Sequence, residues 1–302
     1  MPTVIAIAAH PDDIEFVMAG TLLLLGQAGW DLHYLNLSSG NLGSTTMTPA
    51  RTARVRRVEA QAAAKVLGAT WHPPFCNDVE IFYDGRSLRR LGAIIREVAP
   101  DVVLTHAPQD YMEDHMNTSR LAVSAAFLRA MPGYKTTPVR RAVPKPVTIY
   151  HANPHGLRDQ LRRRIHPGAF VETTGVHARK TAALECHRSQ HGFLDATQGM
   201  SSYVRTMDDL SREVGTLSGR FRHAEGWRRH LHWGFCGQDD VSRANLKPSD
   251  SRSTCFSCNG GVSVDPAPTL MPLFFPPLPS SVSRAASAFG SCSQRSPSAT
   301  NL

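Results

Sequence analysis

The fold is decided by the segment TVIAIAAHPDDIEF, residues 3–16. Its first part, Thr3–Ala8, is a short apolar run, the pattern of a β-strand that is buried on both faces. The run is followed by His10-Pro11-Asp12-Asp13, which brings an imidazole and two carboxylates together on one turn. Because ligands of an open α/β sheet bind outside the carboxyl ends of the strands, this turn lies where a functional site is expected.

Strands and helices alternate outward from this segment through residues 1–150. Apolar runs predict three further strands, over Asp31–Leu37, Asp101–His106 and Val147–His151. Amphipathic segments predict the helices that separate them, over Phe16–Gln27, Thr52–Leu67, Leu88–Val98 and Ser119–Ala130. Strands separated by helices of this length predict an α/β fold with a Rossmann-like, mostly parallel sheet and helices on both faces. After Pro154 the pattern becomes helical, over Val176–Gln190 and Ser201–Phe221.

The C-terminal part of the chain differs in composition from the rest. From Cys236 onward the hydrophobic periodicity is lost, and the segment is crowded with Ser and Pro and contains no Glu. Such a segment cannot bury enough apolar surface to offset its ordering entropy. We therefore predict one domain over residues 1–236 and a disordered Ser/Pro-rich tail over residues 237–302. Cys255 and Cys258 in this tail lack the second Cys or His pair of a typical zinc site.

Charge and composition exclude several classes of protein. The 33 Lys and Arg exceed the 25 Asp and Glu, but only Arg162–Arg164 form a compact triplet, and no aromatic residues are interleaved with it. Nucleic-acid binding is therefore not expected. No apolar run approaches the roughly 18 residues of a membrane span. The N-terminus lacks the basic region of a secretory signal and the six cysteines are scattered, which predicts a cytoplasmic protein. The oligomeric state stays open.

A second polar loop, residues 107–115 (APQDYMEDH), follows the strand predicted over Asp101–His106. In a parallel sheet this loop shares an edge with the first one. A catalytic zinc site needs three protein ligands and an open position, so His115 is the candidate that completes a His/Asp/His set with the first loop. This set suits Zn²⁺, and other divalent metals are compatible with it. The alternative is that residues 10–13 only form a turn and cap a helix.

Five segments of the chain occur together in the order of a known family. They are His10-Pro11-Asp12-Asp13, Gly20-Thr21-Leu22, Arg56-Arg57-Val58-Glu59, Asp110-Tyr111 through Asp114-His115, and Lys180 through Gln190 with His187 and Ser189. In this order they resemble the PIG-L/LmbE-like family of zinc-dependent N-acetylglucosaminyl deacetylases. The resemblance covers residues 3–235, and the tail has no counterpart in it.

The resemblance implies a role for each matching residue. His10, Asp13 and His115 are implied to bind Zn²⁺, Asp12 to be the general base, and Arg56 to contact the substrate. The implied reaction removes an acyl group, in this family acetyl, from the nitrogen of a small amino sugar or related glycoconjugate. A zinc-activated water with a carboxylate beside it suits such an amide hydrolysis. Two alternatives remain: an amidase that acts on another small conjugate, and a non-catalytic member that binds metal or sugar.

The chain departs from the family at one position. The second motif is usually His-Pro-Asp-His, whereas residues 112–115 are Met-Glu-Asp-His, and Met112 cannot donate a hydrogen bond to a developing oxyanion. Either zinc alone suffices, or Tyr111, His187 or His191 is the donor, or the activity is reduced. Asp114 is predicted to orient a neighbouring imidazole rather than bind the metal.

Overall fold

One mixed sheet dominates the computed structural model, which describes residues 1–191, 193 and 203–238. Its seven strands within this part of the chain are β1 (Thr3–Ala8), β2 (Asp31–Asn36), β3 (Thr70–His72), β4 (Val102–Thr105), β5 (Thr148–Ala152), β6 (Ala169–Glu172) and β7 (Ala224–Arg229). The strand order is β3-β2-β1-β4-β5-β7-β6. The first five strands in this order are parallel, and β7 runs antiparallel to both β5 and β6. The predicted mostly parallel α/β sheet is therefore confirmed.

The helices connect the strands and cover both faces of the sheet. In the described residues they are α1 (Asp13–Val17), α2 (Ala19–Gln27), α3 (Pro49–Leu67), α4 (Gly85–Val98), α5 (Glu113–Leu128), α6 (His177–Leu184) and α7 (Tyr203–Leu217). Local signals explain several of their ends. Pro49 begins α3, Gly68 ends it in the left-handed conformation, and Asp84 caps α4 by accepting a hydrogen bond from Ser87 N.

The core has two apolar layers, one on each face of the sheet. In β1, Val4, Ala6 and Ala8 face the layer that contains the apolar side of α2 and α3. The alternate residues Ile5 and Ile7 face the layer formed with α4 and α5. Because both faces of β1 are covered, its sequence is apolar throughout rather than alternating.

Several predicted elements differ from the observed ones. The single helix predicted over Phe16–Gln27 is two helices, because Met18 leaves the helical conformation with φ −134°. The helix predicted over Val176–Gln190 is shorter, since α6 ends at Leu184. Strands β3, β6 and β7 were not predicted from the sequence. Strands β3 and β6 have only three and four residues, so their apolar pattern is too short to be recognised before their pairing is known. Strand β7 (AEGWRR) contains charged residues and Gly226 and lacks the apolar run of a typical strand.

Other sequence predictions are tested only in part. Apart from Gly237 and Gln238, the predicted tail lies outside the described residues, as do Cys255 and Cys258. Its disorder, and with it the domain boundary at residue 236, stay predictions, as does the cytoplasmic location. Among the helices of the described residues, none combines the length and the apolar character that a membrane crossing requires.

Candidate active site

The carboxyl ends of β1 and β4 open onto a cavity of about 250 Å³. The two strands pair in parallel, with Ile7 opposite Thr105, so the loops that follow them are neighbours. His10, Asp12 and Asp13 from the first loop and His115 from the second all line this cavity. The structure thus brings together the residues that the sequence placed on two separate loops.

The three predicted metal ligands form a compact cluster. Their ligand atoms lie within 4.8 Å of one another. Asp13 is central: its Oδ2 lies 3.3 Å from His10 Nδ1, and its Oδ1 lies 3.4 Å from His115 Nε2. Two ligand atoms bound to one tetrahedral Zn²⁺ are separated by about 3.3 Å. Two imidazole nitrogens and a carboxylate at this spacing fit a zinc ion, so these residues could hold one.

A carboxylate fixes the second nitrogen of each of these imidazoles. His10 Nε2 lies 3.0 Å from Asp114 Oδ2, and His115 Nδ1 lies 3.0 Å from Asp110 Oδ1. Asp114 is itself held by a hydrogen bond from Val79 N. Carboxylate–histidine pairs of this kind orient metal ligands. Asp114 therefore contacts one predicted ligand, and Asp110, which the sequence analysis did not single out, contacts the other.

The electrostatics of this cluster favour positive charge. Burial by itself lowers the pKa of His10, but hydrogen bonds to Asp114 and Asp13 outweigh it and raise the pKa to about 9. Burial likewise lowers the pKa of His115, and the charge of Asp13 with the hydrogen bond to Asp110 raises it to about 10. Burial raises the pKa of Asp13, yet the charges of His115 and His106 hold it well below its ordinary value. A site that stabilises imidazolium in this way is suited to a cation.

His106 is a cavity residue that the sequence analysis counted only as the end of a strand. Its Nε2 accepts a hydrogen bond from Ala9 N and lies 3.3 Å from Asp13 Oδ2. Its ring stacks on His115, with 4.1 Å between the centroids. His106, Asp110 and His115 also satisfy the spacing of a metal group. Because the Ala9 N–H uses the Nε2 lone pair of His106, the set centred on Asp13 fits a metal better. One signal could have identified His106 as a cavity residue: it lies just past β4, at the carboxyl end of a parallel strand.

Asp12 lies beside the metal ligands in a constrained conformation. Its φ is +104°, a value that costs a non-glycine residue on the order of 1 kcal/mol or more. Its carboxylate Oδ2 accepts hydrogen bonds from Tyr203 Oη at 2.7 Å and from Arg56 Nη2 at 3.2 Å. Arg56 also donates to the carbonyl oxygen of Pro11. Two side chains from distant helices therefore fix the carboxylate of Asp12, and Tyr203 is a site residue that the sequence analysis did not find.

Arg56 is almost fully buried but keeps unused hydrogen-bonding capacity. Its side chain lines the cavity, and its Nε and Nη1 have no hydrogen-bond partner among the described residues. Gly40, with φ +71°, packs so closely that a Cβ there would lie 2.7 Å from Arg56 Nε. Unsatisfied donors at a cavity wall are suited to an oxygen atom of a ligand.

The three predicted oxyanion donors, Tyr111, His187 and His191, do not all lie at the cavity. Tyr111 lines the cavity and is half exposed, with 5.5 Å between the centroids of its ring and the His115 ring. His187 is fully buried, with Nε2 3.4 Å from Glu15 Oε1, and is not a lining residue. His191 is exposed, its ring lies 5.4 Å from that of Tyr203, and it is not a lining residue either. Of these three side chains, only Tyr111 is placed at the cavity.

His155 is a further possible donor among the residues that line the cavity. Its ring packs between Phe16 and Tyr111, with centroid distances of 5.8 and 6.2 Å. Burial lowers the pKa of His155 more than the nearby carboxylates raise it. The imidazole is therefore neutral near pH 7 and offers one N–H.

Comparison with known proteins identifies the family. Residues 5–126 match the PIG-L family model, described as GlcNAc-PI de-N-acetylase. The chain is 32% identical over 231 residues to 4-oxalmesaconate hydratase of Pseudomonas putida, covering 74% of this chain and 86% of the relative. It is 27% identical over 232 residues to diacetylchitobiose deacetylase of Thermococcus kodakarensis, covering 74% and 82%. The chain therefore belongs to the PIG-L family, which confirms the resemblance found in the sequence.

Solved structures share the fold. The crystal structure of GalB, the 4-carboxy-2-hydroxymuconate hydratase of Pseudomonas putida, matches with a TM-score of 0.63 and 27% identity, covering 76% of this chain and 97% of that one. N,N'-diacetylchitobiose deacetylase of Pyrococcus horikoshii matches with a TM-score of 0.62 and 24% identity, covering 79% and 88%. The named relatives are enzymes, deacetylases and a hydratase, and this supports an enzymatic role for the chain.

Proposed function

We propose that this protein is a metal-dependent deacetylase that removes an acetyl group from the nitrogen of a small amino sugar or related glycoconjugate. The proposal is supported by one observation: Asp12 lines the same cavity as the cluster of His10, Asp13 and His115. A hydrolytic metal site needs these two parts together, a ligand set and a base that is not a ligand.

His10, Asp13 and His115 would hold the ion, for which Zn²⁺ is the best fit, while Asp110 and Asp114 orient the two imidazoles. When bound, zinc lowers the pKa of water towards 7 and polarises a carbonyl group. The ligand set is neutral imidazole and carboxylate, so proton binding competes with the metal and occupancy falls in acid.

Asp12 is the general base in this proposal. It takes a proton from the attacking water and returns it to the nitrogen as the C–N bond breaks, so the products are acetate and a free amine. The hydrogen bonds that its carboxylate accepts within the described residues, from Arg56 and Tyr203, both end on Oδ2. Oδ1 is therefore the atom left to carry the proton. Arg56 and Tyr203 hold the carboxylate in place, and the unused N–H groups of Arg56 bind an oxygen of the substrate.

The oxyanion donor in this proposal is Tyr111 or His155. Met112 has no suitable hydrogen, and His187 and His191 do not line the cavity. Tyr111 and His155 both do, and their rings are neighbours. A donor of this kind is worth about 3 kcal/mol, or roughly 10²–10³ in rate. Replacing His155 by Gln and Tyr111 by Phe, singly, therefore separates the two candidates by the size of the loss in kcat.

The second candidate is a hydratase, which the relative with 32% identity favours. The names of the two hydratases denote carboxylated substrates. In this chain Arg56 is the only Lys or Arg among the described lining residues, which also include Asp12, Asp13, Asp78 and Asp110. Outside the proposed metal site, the described lining thus offers one fixed cation for several substrate carboxylates, whereas a neutral amide requires none.

The test combines metal content with two reactions. We expect zinc in the purified protein, acetate release from N-acetylglucosamine or its glycosides, and loss of that release in Asp12→Asn. Loss of ultraviolet absorbance from a carboxylated hydroxymuconate, without acetate release, would establish the hydratase instead. Zinc without either reaction indicates a non-catalytic member or an amidase for another conjugate, and Met112→His is then the next variant. Full zinc content in His115→Ala would refute the ligand set.

A further inference from the structure

A second cluster of histidine and aspartate lies outside the cavity, where three elements meet. His177 begins α6, Asp208 lies on α7, and His223 immediately precedes β7. His177 Nε2 lies 2.9 Å and His223 Nε2 lies 3.0 Å from the same oxygen, Asp208 Oδ1. The two rings stack with 3.9 Å between their centroids. None of these residues lines the cavity of the proposed active site.

We propose that His177, Asp208 and His223 form a second binding site for a divalent metal ion, with Zn²⁺ as the preferred ion. The ligand atoms lie within 4.8 Å of one another, the same criterion that the cluster around Asp13 meets. Two nitrogens and one oxygen are a common zinc ligand set, and a water molecule would complete a tetrahedral site. Asp208 remains partly exposed, so the ion and the water can enter from solvent.

Both histidines present the same ring nitrogen, Nε2, to the shared Asp208 oxygen. The Nδ1 atoms of both rings are buried and have no hydrogen-bond partner among the described residues. Without an ion, each Nε2–H donates to Asp208 Oδ1. Metal binding would use the tautomer in which the proton has moved to Nδ1, an atom that no described contact occupies.

Arg212 is expected to lower the affinity of the proposed site for the metal ion. Its Nε donates a hydrogen bond of 2.6 Å to Asp208 Oδ2, so only Oδ1 is left for the metal. The guanidinium also cancels the charge of the one carboxylate in the cluster. We therefore expect weaker binding here than at His10, Asp13 and His115, where Asp110 and Asp114 add negative charge.

A second histidine pair, His33 and His72, lacks the converging ligand atoms of this cluster. His33 Nδ1 lies 2.8 Å from His72 Nε2, while His33 Nε2 lies 3.2 Å from Asp31 Oδ2. His33 uses both ring nitrogens and stands between its two partners, so the three groups form a chain. Their ligand atoms do not converge on one point, and this pair is a matched control for the proposed site.

The site has a structural consequence for the cavity. Tyr203, which donates to Asp12, begins α7, and Asp208 lies about 7.5 Å further along the same helix. An ion held by α6, α7 and the start of β7 would fasten this helix in place. The ion would therefore stabilise the position of Tyr203. The effect on turnover rests on the proposed function, whereas the binding of the ion does not.

The experiment measures zinc per chain after dialysis against metal-free buffer at neutral pH. The background is the full chain with Cys255→Ser and Cys258→Ser, so that thiolates of the tail do not contribute. We expect about two zinc ions per chain, and about one in His177→Gln and in Asp208→Asn. His115→Ala, which removes only the first set, keeps about one, and His115→Ala with His177→Gln keeps none. The control His72→Gln keeps about two.

Two further readouts test the site without activity. In the His115→Ala chain, saturating zinc should raise the melting temperature by roughly 5 °C, and His177→Gln should abolish this shift. Arg212→Gln, which removes the competing charge, should tighten zinc binding about fivefold. A zinc content that is the same in the wild type, His177→Gln and Asp208→Asn would overturn the proposal. Loss of zinc from His115→Ala alone would overturn it as well.

Discussion

Two buried ion pairs of this protein differ in the contributions that we expect them to make to stability and to activity. Arg56 and Asp12 lie at the cavity with 3.2 Å between Nη2 and Oδ2. Lys180 on α6 and Glu225 on β7 have 2.8 Å between Nζ and Oε1. Arg56 is 2% exposed and Lys180 is 0% exposed. Burial therefore does not distinguish the two pairs.

Hydrogen bonding does distinguish them. Glu225 accepts bonds from Gly20 N, Thr21 N, Thr21 Oγ1 and Lys180 Nζ, so both of its oxygens are used. Gly20 is closely packed as well, since a Cβ there would lie 2.4 Å from Thr173 Cγ2. Arg56, in contrast, has two donor atoms without a described partner beside a cavity. A saturated pair holds elements together, and an unsaturated pair at a cavity is available to a ligand.

The largest expected effect is on the cavity pair. Asp12→Asn keeps the shape of the side chain but removes the base, so we expect kcat for acetate release to fall about 10³-fold. The zinc content and the midpoint of urea unfolding should change little. An Asp12→Asn protein with wild-type kcat would show that this carboxylate is not the base. A protein that unfolds instead would show that the two pairs do not differ in role.

The saturated pair should behave in the opposite way. Lys180→Met leaves the buried Glu225 carboxylate without its cation, which costs about 3–5 kcal/mol of unfolding free energy. Urea unfolding measures this loss, and kcat per folded molecule should stay near that of the wild type. The control is Lys180→Met with Glu225→Gln, in which no charge is left unpaired and most of the stability returns. A stable Lys180→Met protein would contradict the comparison.

A smaller effect is expected where α7 contacts the cavity pair. Tyr203→Phe removes the hydroxyl that donates to Asp12 Oδ2 but keeps the ring that packs against Phe16. The loss of one hydrogen bond to a charged group is worth about 1.5 kcal/mol, so we expect kcat to fall about tenfold with KM nearly unchanged. Steady-state kinetics on N-acetylglucosamine or its glycosides checks this. An equal change in KM would place Tyr203 in substrate binding.

A separate effect concerns acid stability, which we assign to neither pair. Burial, the largest cause, lowers the pKa of His151 to about 4 from its ordinary 6.5. The folded chain therefore binds this proton less tightly than the unfolded chain, so the stability from neutral His151 is full above pH 6.5. It is lost as the pH falls from 6.5 towards 4. At pH 5 the loss is on the order of 2 kcal/mol.

His151→Gln should flatten that part of the pH dependence. The measurement is urea unfolding at pH 7 and pH 5 in wild type and variant, compared as the difference between the two pH values. His166→Gln, which replaces an exposed histidine, is the control. An unchanged pH dependence in His151→Gln would show that other groups carry the acid sensitivity.

Local signals made part of the fold and site predictable. The apolar run of Thr3–Ala8 predicts a strand covered on both faces, and the two core layers confirm it. The His and Asp residues after β1 and β4 predict one shared site, and the parallel pairing of these strands brings them to one cavity. Strand β6 and the break at Met18 were not predictable in this way, because they depend on pairing with β7 and on packing rather than on local pattern.

The sequence by itself determined the α/β class and the family and named the candidate site residues, because hydrophobic periodicity and motif order are local properties of the chain. Only the tertiary structure decided which of these residues meet. It placed Tyr203 on Asp12 and Asp110 on His115, brought His155 to the cavity wall, and left His187 and His191 outside the lining. The contacts of Tyr203 and His155 join residues far apart in the chain, and such distances are fixed by the packing of helices on the sheet rather than by any segment alone.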